Sequence, residues 1–92
     1  METRVAVISV IVEEGVSPDE INVLLSEAGQ YIVGRMGIPY REKGVNIICV
    51  VIDAPQDVIS SLAGRIGRLK GVSAKTAYSN VISKEDQKEV GA

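Results

Sequence analysis

Two segments of the chain are apolar at nearly every position: 4–12 (RVAVISVIV) and 45–53 (VNIICVVID). Strands that are buried on both faces carry β-branched residues without alternation, so both segments are predicted to be central strands of a sheet. Weaker strands are predicted at 31–38 and 72–79. Because 31–38 (YIVGRMGI) contains glycines, which favour a bulge or an edge over a central position, we predict an edge strand there.

Two helices are predicted from apolar residues that recur three and four positions apart, at 21–28 and 58–69. The first helix has a strong start signal in the sequence. Ser17 suits the N-cap, Pro18 suits the first helical position, and Glu20 completes a capping box. A glycine follows each apolar stripe and is predicted to end the helix.

The predicted elements follow the order β-α-β-β-α-β, which is the ferredoxin-like split βαβ arrangement. The first and third strands are central in that arrangement, and they are also the two richest in apolar residues. The predicted fold class is therefore α+β, a ferredoxin-like βαββαβ sandwich with a four-stranded antiparallel sheet and two helices on one face. Residues 1–80 are predicted to form this single domain, and 81–92 to be a charged, frayed tail.

Two helices can cover only one face of a four-stranded sheet, yet both central strands are apolar on both faces. A monomer would then expose an apolar patch of roughly a few hundred Å², which is typical of an interface. We expect a homo-oligomer, a dimer or a tetramer, that buries this face. A partner protein or the C-terminal tail is the alternative cover. The candidate interface residues are Val5, Val7, Ser9, Ile47, Cys49 and Val51.

The amino-acid composition excludes several kinds of catalytic and metal-binding site. The 92 residues include no histidine and one cysteine, which excludes histidine-based acid–base catalysis, histidine-ligated zinc and an intrachain disulfide. Because no catalytic constellation is found, we predict that the protein is not an enzyme and uses no metal or cofactor. The formal net charge of −2 predicts no general affinity for nucleic acid or an anionic membrane. Neither a signal peptide nor a membrane span is recognisable, so a cytoplasmic location is expected.

Two functions that occur on this topology are excluded by the absence of their motifs. An RNA-recognition module stacks bases on aromatic residues of the first and third strands, and neither predicted strand has one. An acylphosphatase-like enzyme needs a phosphate-binding loop after the first strand, where this chain has Glu13 and Glu14. These carboxylates would repel a phosphate.

One candidate ligand site is the segment 34–44 (GRMGIPYREKG), which concentrates cations and glycines. Arg35 and Arg41 could clamp an anionic ligand, with Gly37 and Tyr40 as further ligand-binding candidates. The alternative is an ordinary hairpin whose cations pair with acids across a subunit boundary.

The other candidate site is the loop after the first strand. Gly15 and Val16 present backbone amides beside the N-terminus of the first helix, where an anion such as a carboxylate can bind. The glutamates at 13 and 14 disfavour a strongly anionic ligand at this position.

Several of these passages resemble one small bacterial family. They are the first strand with its acidic turn, the hairpin at 34–44, and the stretch at 53–79 (DAPQDVISSLAGRIGRLKGVSAKTAYS). The family is that of regulators of the iron-only hydrogenase system, which are ACT-like and similar to the C-terminal domain of the nickel-responsive repressor. The resemblance covers about residues 4–79.

The resemblance implies an oligomeric regulatory domain that binds a small effector, by analogy with ACT domains that bind amino acids near the corresponding loop at Gly15. We expect neither operator binding nor nickel sensing to carry over, because the first strand is predicted to begin at about Arg4, where the repressor has a ribbon–helix–helix, and the chain has no histidine. We therefore predict a stand-alone ACT-like regulatory module that binds a small effector or a partner protein. The alternative is a structural or assembly partner in hydrogenase maturation, with no small ligand.

Overall fold

The two apolar runs form the inner strands of one antiparallel sheet. The computed structural model describes the backbone of residues 2–84 and the side chains of residues 2–81. Within these residues the strand order is β2-β3-β1-β4, and single helical turns lie at Gly29–Tyr31 and Arg41–Lys43. The strands are β1 (Glu2–Glu13), β2 (Ile32–Tyr40), β3 (Val45–Ala54) and β4 (Val72–Lys84), and the helices are α1 (Asp19–Glu27) and α2 (Gln56–Gly67). The ferredoxin-like α+β fold predicted from the sequence is confirmed.

The central pair is β1 and β3, as predicted. They pair without a break from Arg4 opposite Ala54 to Glu13 opposite Val45. The predicted edge position of β2 is also confirmed, and its register with β3 shifts between Ile32 and Gly34. Such a shift is the mark of a bulge, which glycine-containing edge strands accommodate easily.

Both helices pack on the same face of the sheet and form one aliphatic core with it. The core residues from α1 and α2 meet alternate residues of β1 and β3, because successive side chains of a strand point to opposite faces. The buried core residues are Ala6, Ile8, Val10, Val12, Ile21, Leu25, Ala28, Ile48, Val50, Ile52, Ala54, Ile59, Leu62 and Ile66.

The opposite face of the sheet carries no helix within the described part of the chain, and we call it the open face. The strand registers place residues of all four strands on it. Many of them are apolar and exposed, and Met36 retains 55% of its accessible surface. The six candidate interface residues all lie on this face. Its members are Val5, Val7, Ser9, Ile11, Glu13, Gly34, Met36, Ile38, Tyr40, Val45, Ile47, Cys49, Val51, Asp53, Ser73, Lys75 and Ala77.

The start of α1 differs from the prediction. The helix begins at Asp19 with Pro18 at the N-cap, and no side-chain cap is formed there. The Ser17 hydroxyl instead accepts a hydrogen bond from the Asp19 backbone N–H at 3.2 Å. Serine forms such local turns two residues apart as readily as it caps a helix, and the turn moves the helix start.

Strands β2 and β4 also extend further than predicted. Strand β2 includes Pro39 and Tyr40, because an edge strand accommodates a residue without an N–H. Strand β4 runs to Lys84, where it pairs with Glu2, so the predicted tail begins inside a strand. The long β1 supplies the partner that extends this pairing. The remainder of the predicted tail, 85–92, lies outside the described residues.

None of the helices formed by residues 2–84 combines the length and the apolar character that a membrane crossing requires.

Candidate functional site

Two loops meet at one end of the sheet: the β1–α1 loop and the loop that joins α2 to β4. The Glu13 backbone N–H donates a hydrogen bond to the Gly71 carbonyl oxygen at 2.9 Å. Gly71 has a φ of +74°, and a Cβ atom at this position would lie 2.6 Å from Cγ2 of Val16. Both the backbone conformation and the close approach of the two loops therefore require glycine at position 71.

A cleft of about 860 Å³ lies where these loops meet. Gly15, at the tip of the β1–α1 loop, has a φ of +86° and faces open space, so its backbone is accessible from the cleft. The two residues predicted as ligand-binding in this loop, Gly15 and Val16, are both part of the wall. The cleft is lined by Glu13, Gly15, Val16, Ser17, Asp19, Glu20, Leu69, Lys70, Gly71 and Val72.

The charges around this cleft are predominantly negative. Glu13, Asp19 and Glu20 contribute three carboxylates, and Lys70 contributes the one ammonium group of the lining. The N-terminus of α1 would attract anions, but the Asp19 N–H is already bonded to Ser17. This arrangement favours a ligand that carries an amino group, and it disfavours a strongly anionic one.

The cleft continues onto an apolar surface. A shallower depression of about 240 Å³ is lined by Glu20, Val23, Leu24 and Leu69, and it shares Glu20 and Leu69 with the cleft. A ligand with a charged head and an apolar side chain could occupy both parts.

Gly15 also lines a smaller pocket, of about 250 Å³, towards the β2–β3 turn. Arg41 and Asn46 belong to the same pocket, so the structure brings together one residue from each of the two candidate segments. Gly44 ends the turn with a φ of +64°, and a Cβ there would lie 2.8 Å from Oε2 of Glu14.

The other residues predicted in the hairpin lie apart from this pocket. Arg35 pairs in register with Val50 on the helix-covered side, and its Nη2 donates a hydrogen bond to Oδ1 of Asn22 at 2.9 Å. Arg41 lies in the helical turn after β2, and the strand from Arg35 to Tyr40 alone extends about 17 Å, at roughly 3.3 Å per residue. The clamp predicted from Arg35 and Arg41 is therefore not formed.

Gly37 and Tyr40 likewise fall outside both pockets. A Cβ at Gly37 would contact nothing within 4 Å, so the glycine marks no close approach in this chain. Tyr40 lies on the open face, and its hydroxyl donates a hydrogen bond to Oε2 of Glu42 at 3.3 Å.

Sequence reasoning did not identify Leu69, Lys70 and Gly71 as part of the site. The available signal was a glycine directly between a helix and a strand, which is typical of a left-handed turn residue. Its position beside Val16 is a tertiary contact, which no local pattern reveals. No group of three or more potential metal-binding side chains occurs within residues 2–84.

Comparison with known proteins supports the regulatory interpretation. The model of the family described as "TM1266-like: Iron-only hydrogenase system regulator, putative" matches residues 4–76. The structure of the uncharacterized protein TM1266 from Thermotoga maritima is similar with a TM-score of 0.77 and 31% sequence identity, over 83% of this chain and 96% of that one.

A second solved structure shares the fold alone. A formyltetrahydrofolate deformylase from Pseudomonas putida KT2440 matches with a TM-score of 0.61 and 18% identity, over 84% of this chain and 29% of that one. Among curated proteins, none matches the chain significantly. The extent of the family match and the identity to TM1266 together show that the chain belongs to the TM1266-like family of the iron-only hydrogenase system.

Proposed function

We propose that the chain is a non-enzymatic regulatory module of the iron-only hydrogenase system that associates with copies of itself through the open face and binds a small effector in the loop cleft. The open face is the observation that carries the proposal. It exposes aliphatic side chains on β1 and β2 and leaves those of β3 partly exposed, while the alternate residues of β1 from Ala6 to Val12 and of β3 from Ile48 to Ala54 are buried beneath the helices.

The size of the open face fits a protein interface. Four strands about 4.8 Å apart and some seven residues long give a footprint of roughly 400 Å² before side-chain relief is counted. Contiguous apolar patches of about 300–600 Å² on a monomer are often functional. Two copies that join such faces remove apolar surface from water on both sides, which is the main favourable contribution to association.

The position of the cleft supports a link between effector binding and self-association. Glu13 ends β1 and Gly71 directly precedes β4, so the two loops that form the cleft continue two neighbouring strands of the open face. A ligand that moves the loops would also shift the ends of these strands. Effector binding and association would then be linked by one coupling free energy.

Replacing Val7 with lysine is expected to abolish self-association. Val7 lies in the middle of the open face and keeps 36% of its surface exposed in a single copy, so an ammonium group there would be buried only between copies. Burying an unpaired charge opposes association strongly. Native mass spectrometry and light scattering should then report the 9.8 kDa single chain.

The matched control is Val23→Lys, the same change on α1, where Val23 is 57% exposed on the helix layer. This variant should keep the mass of the unmodified protein. A single-chain mass for the unmodified protein at micromolar concentration would contradict the proposed self-association.

An effector should raise the melting temperature in a screen of amino acids, primary amines and nucleotides. A ligand at 100 times its Kd adds about 2.7 kcal/mol to the free energy of unfolding. For a domain of this size the expected rise in Tm is roughly 10–20 °C. Glu20→Gln removes one cleft carboxylate and should reduce the rise caused by an amine. Glu27→Gln, at the exposed ion pair with Arg65, should leave it unchanged.

An assembly partner without a small ligand is the second candidate function. The wide cleft with its excess of carboxylates favours it, because no strong attraction for anionic metabolites is present there. If no compound in the screen shifts Tm while the open face still drives association, the assembly function is supported and the effector proposal fails.

A further inference from the structure

Three residues of the open face carry a charge: Glu13 at the end of β1, Asp53 on β3 and Lys75 on β4. Asp53 and Lys75 have opposite charges and lie on the two sides of β1. The inference drawn from these two residues rests on the self-association proposed above, and it concerns how the two copies are oriented relative to each other.

Within the described part of one copy, the carboxylate of Asp53 is incompletely hydrogen-bonded. Its Oδ1 atom is buried and finds no hydrogen-bond donor among residues 2–81, whose side chains the structure describes. In the register the residue lies opposite Val5, and along β3 its neighbour on the same face is Val51, so its surroundings on the face are apolar. A carboxylate that has lost water at one oxygen without gaining a donor there is poorly solvated. Asp53 as a whole is only half-buried, so a cation of another molecule that contacts its accessible part would offset this penalty.

Lys75 is the complementary group. It is exposed and lies opposite Ser9 in the β1–β4 register. Within one copy it cannot reach Asp53, because the register separates them by about 14 Å along the strands and about 10 Å across them, or roughly 17 Å in total.

The register also fixes the midpoint between the two charges. Asp53 aligns with Val5, Lys75 aligns with Ser9, and β1 runs between β3 and β4. Val7 lies halfway between Val5 and Ser9 on β1, so it is the midpoint in both directions. A two-fold axis parallel to the sheet and above Val7 can exchange the positions of the two charged residues.

We propose that the occupant of the open face is a second copy of this chain, oriented so that Lys75 of each copy donates to Asp53 of the other. Two-fold symmetry turns one such contact into two. The strands of the two copies then cross at a steep angle, in the direction of orthogonal sheet packing. A different partner protein would have to present both a cation and a carboxylate at this spacing, whereas a second copy carries both.

Charge reversal tests this pairing. Asp53→Lys brings two ammonium groups together at each contact, and Lys75→Asp brings two carboxylates together. Because like charges across an interface oppose binding strongly, each single variant should raise the dissociation constant of the oligomer at least about tenfold. The double variant with both changes should return to within a few-fold of the unmodified protein. Sedimentation or light scattering over a concentration series measures this.

Mixing provides a second measurement. In an equimolar mixture of the two single variants, each contact between unlike copies again joins a cation and a carboxylate. Mixed oligomers should therefore form where neither variant associates alone, and native mass spectrometry separates them by mass. The self-association of the unmodified protein should also weaken as salt is raised at low ionic strength, since salt screens the pairs.

The outcomes separate this inference from the proposal on which it rests. If the unmodified protein associates, Val7→Lys disrupts the oligomer, and Lys75→Asp leaves the dissociation constant unchanged, the pairing is overturned while self-association stands. Lys75 is exposed, so this variant is expected to fold even where Asp53→Lys does not. Asp57→Lys, a charge reversal on α2, is the control and should leave the dissociation constant unchanged.

Discussion

Replacing Ile8 with alanine should lower the free energy of unfolding by about 2–5 kcal/mol, as buried Ile→Ala changes do. Ile8 is fully buried on the helix-covered face of β1, where the facing helices α1 and α2 close the core. The truncation leaves a cavity that the surrounding strands can close only in part. At about 4–8 °C per kcal/mol for a domain of this size, Tm should fall by roughly 8–40 °C.

Ile11→Ala is the matched control on the same strand and the opposite face. Ile11 is 46% exposed in one copy, so less apolar surface is lost, and the cost within that copy should be about 1 kcal/mol or less. If copies associate through the open face, Ile11→Ala should also weaken association, whereas Ile8→Ala should mainly affect unfolding. Equal losses of stability for the two variants in dilute protein would contradict the assignment of the faces.

Replacing Gly71 with alanine should also destabilise the protein, for two reasons that add. The φ of +74° disfavours any residue with a Cβ by about 1–2 kcal/mol. The added atom would also lie 2.6 Å from Cγ2 of Val16, and such overpacking costs about 1–3 kcal/mol more. Because Val16 must move, the cleft should change shape, and any ligand found in the screen should bind more weakly.

Gly15→Ala separates these two contributions. Its φ of +86° imposes a similar conformational penalty, but the new Cβ would contact nothing within 4 Å. Chemical denaturation should therefore show a smaller loss for Gly15→Ala than for Gly71→Ala. If the two losses are the same, the close contact between the loops contributes nothing and the description of the cleft wall is wrong.

The sheet was predictable because the apolar pattern of its central strands is unusually continuous. The runs at 4–12 and 45–53 identified β1 and β3, and glycines identified β2 as an edge. The same continuity prevented a prediction of which face the helices cover, because both faces of these strands are apolar. The polar residues within the runs do not distinguish the faces either, because Ser9 and Asp53 lie on the open face whereas Arg4 and Asn46 lie on the helix-covered side.

The ends of the elements were less predictable, because tertiary pairing decides them. Strand β4 continues to Lys84 since β1 offers it a partner as far as Glu2. Helix α1 begins at Asp19 since the Ser17 hydroxyl forms a local turn instead of a cap. In both cases a local sequence signal for the boundary is present, but a contact formed in the folded chain moves the boundary of the element.

For the candidate site, the sequence identified one wall and not the other. Gly15 and Val16 were expected because a glycine before a helix start frees backbone amides. The second wall, Lys70 and Gly71, is brought there by the docking of α2 and β4, far away along the chain. The predicted clamp failed because an extended strand holds residues that are close in the sequence far apart, and Arg35 lies within β2 whereas Arg41 lies beyond its end.

The position of β1 in the sheet also determines at which stage of its synthesis the domain can complete folding. β1 emerges first during synthesis, yet its partners are β3 and β4, the last strands to be made. The β2–β3 hairpin closes a short loop and can form early, whereas pairing Glu2 with Lys84 joins residues near opposite ends of the chain. We therefore expect the docking of β1 to limit the folding rate. Until then the nascent chain exposes an unpaired apolar strand, which makes protection by a chaperone important for its yield.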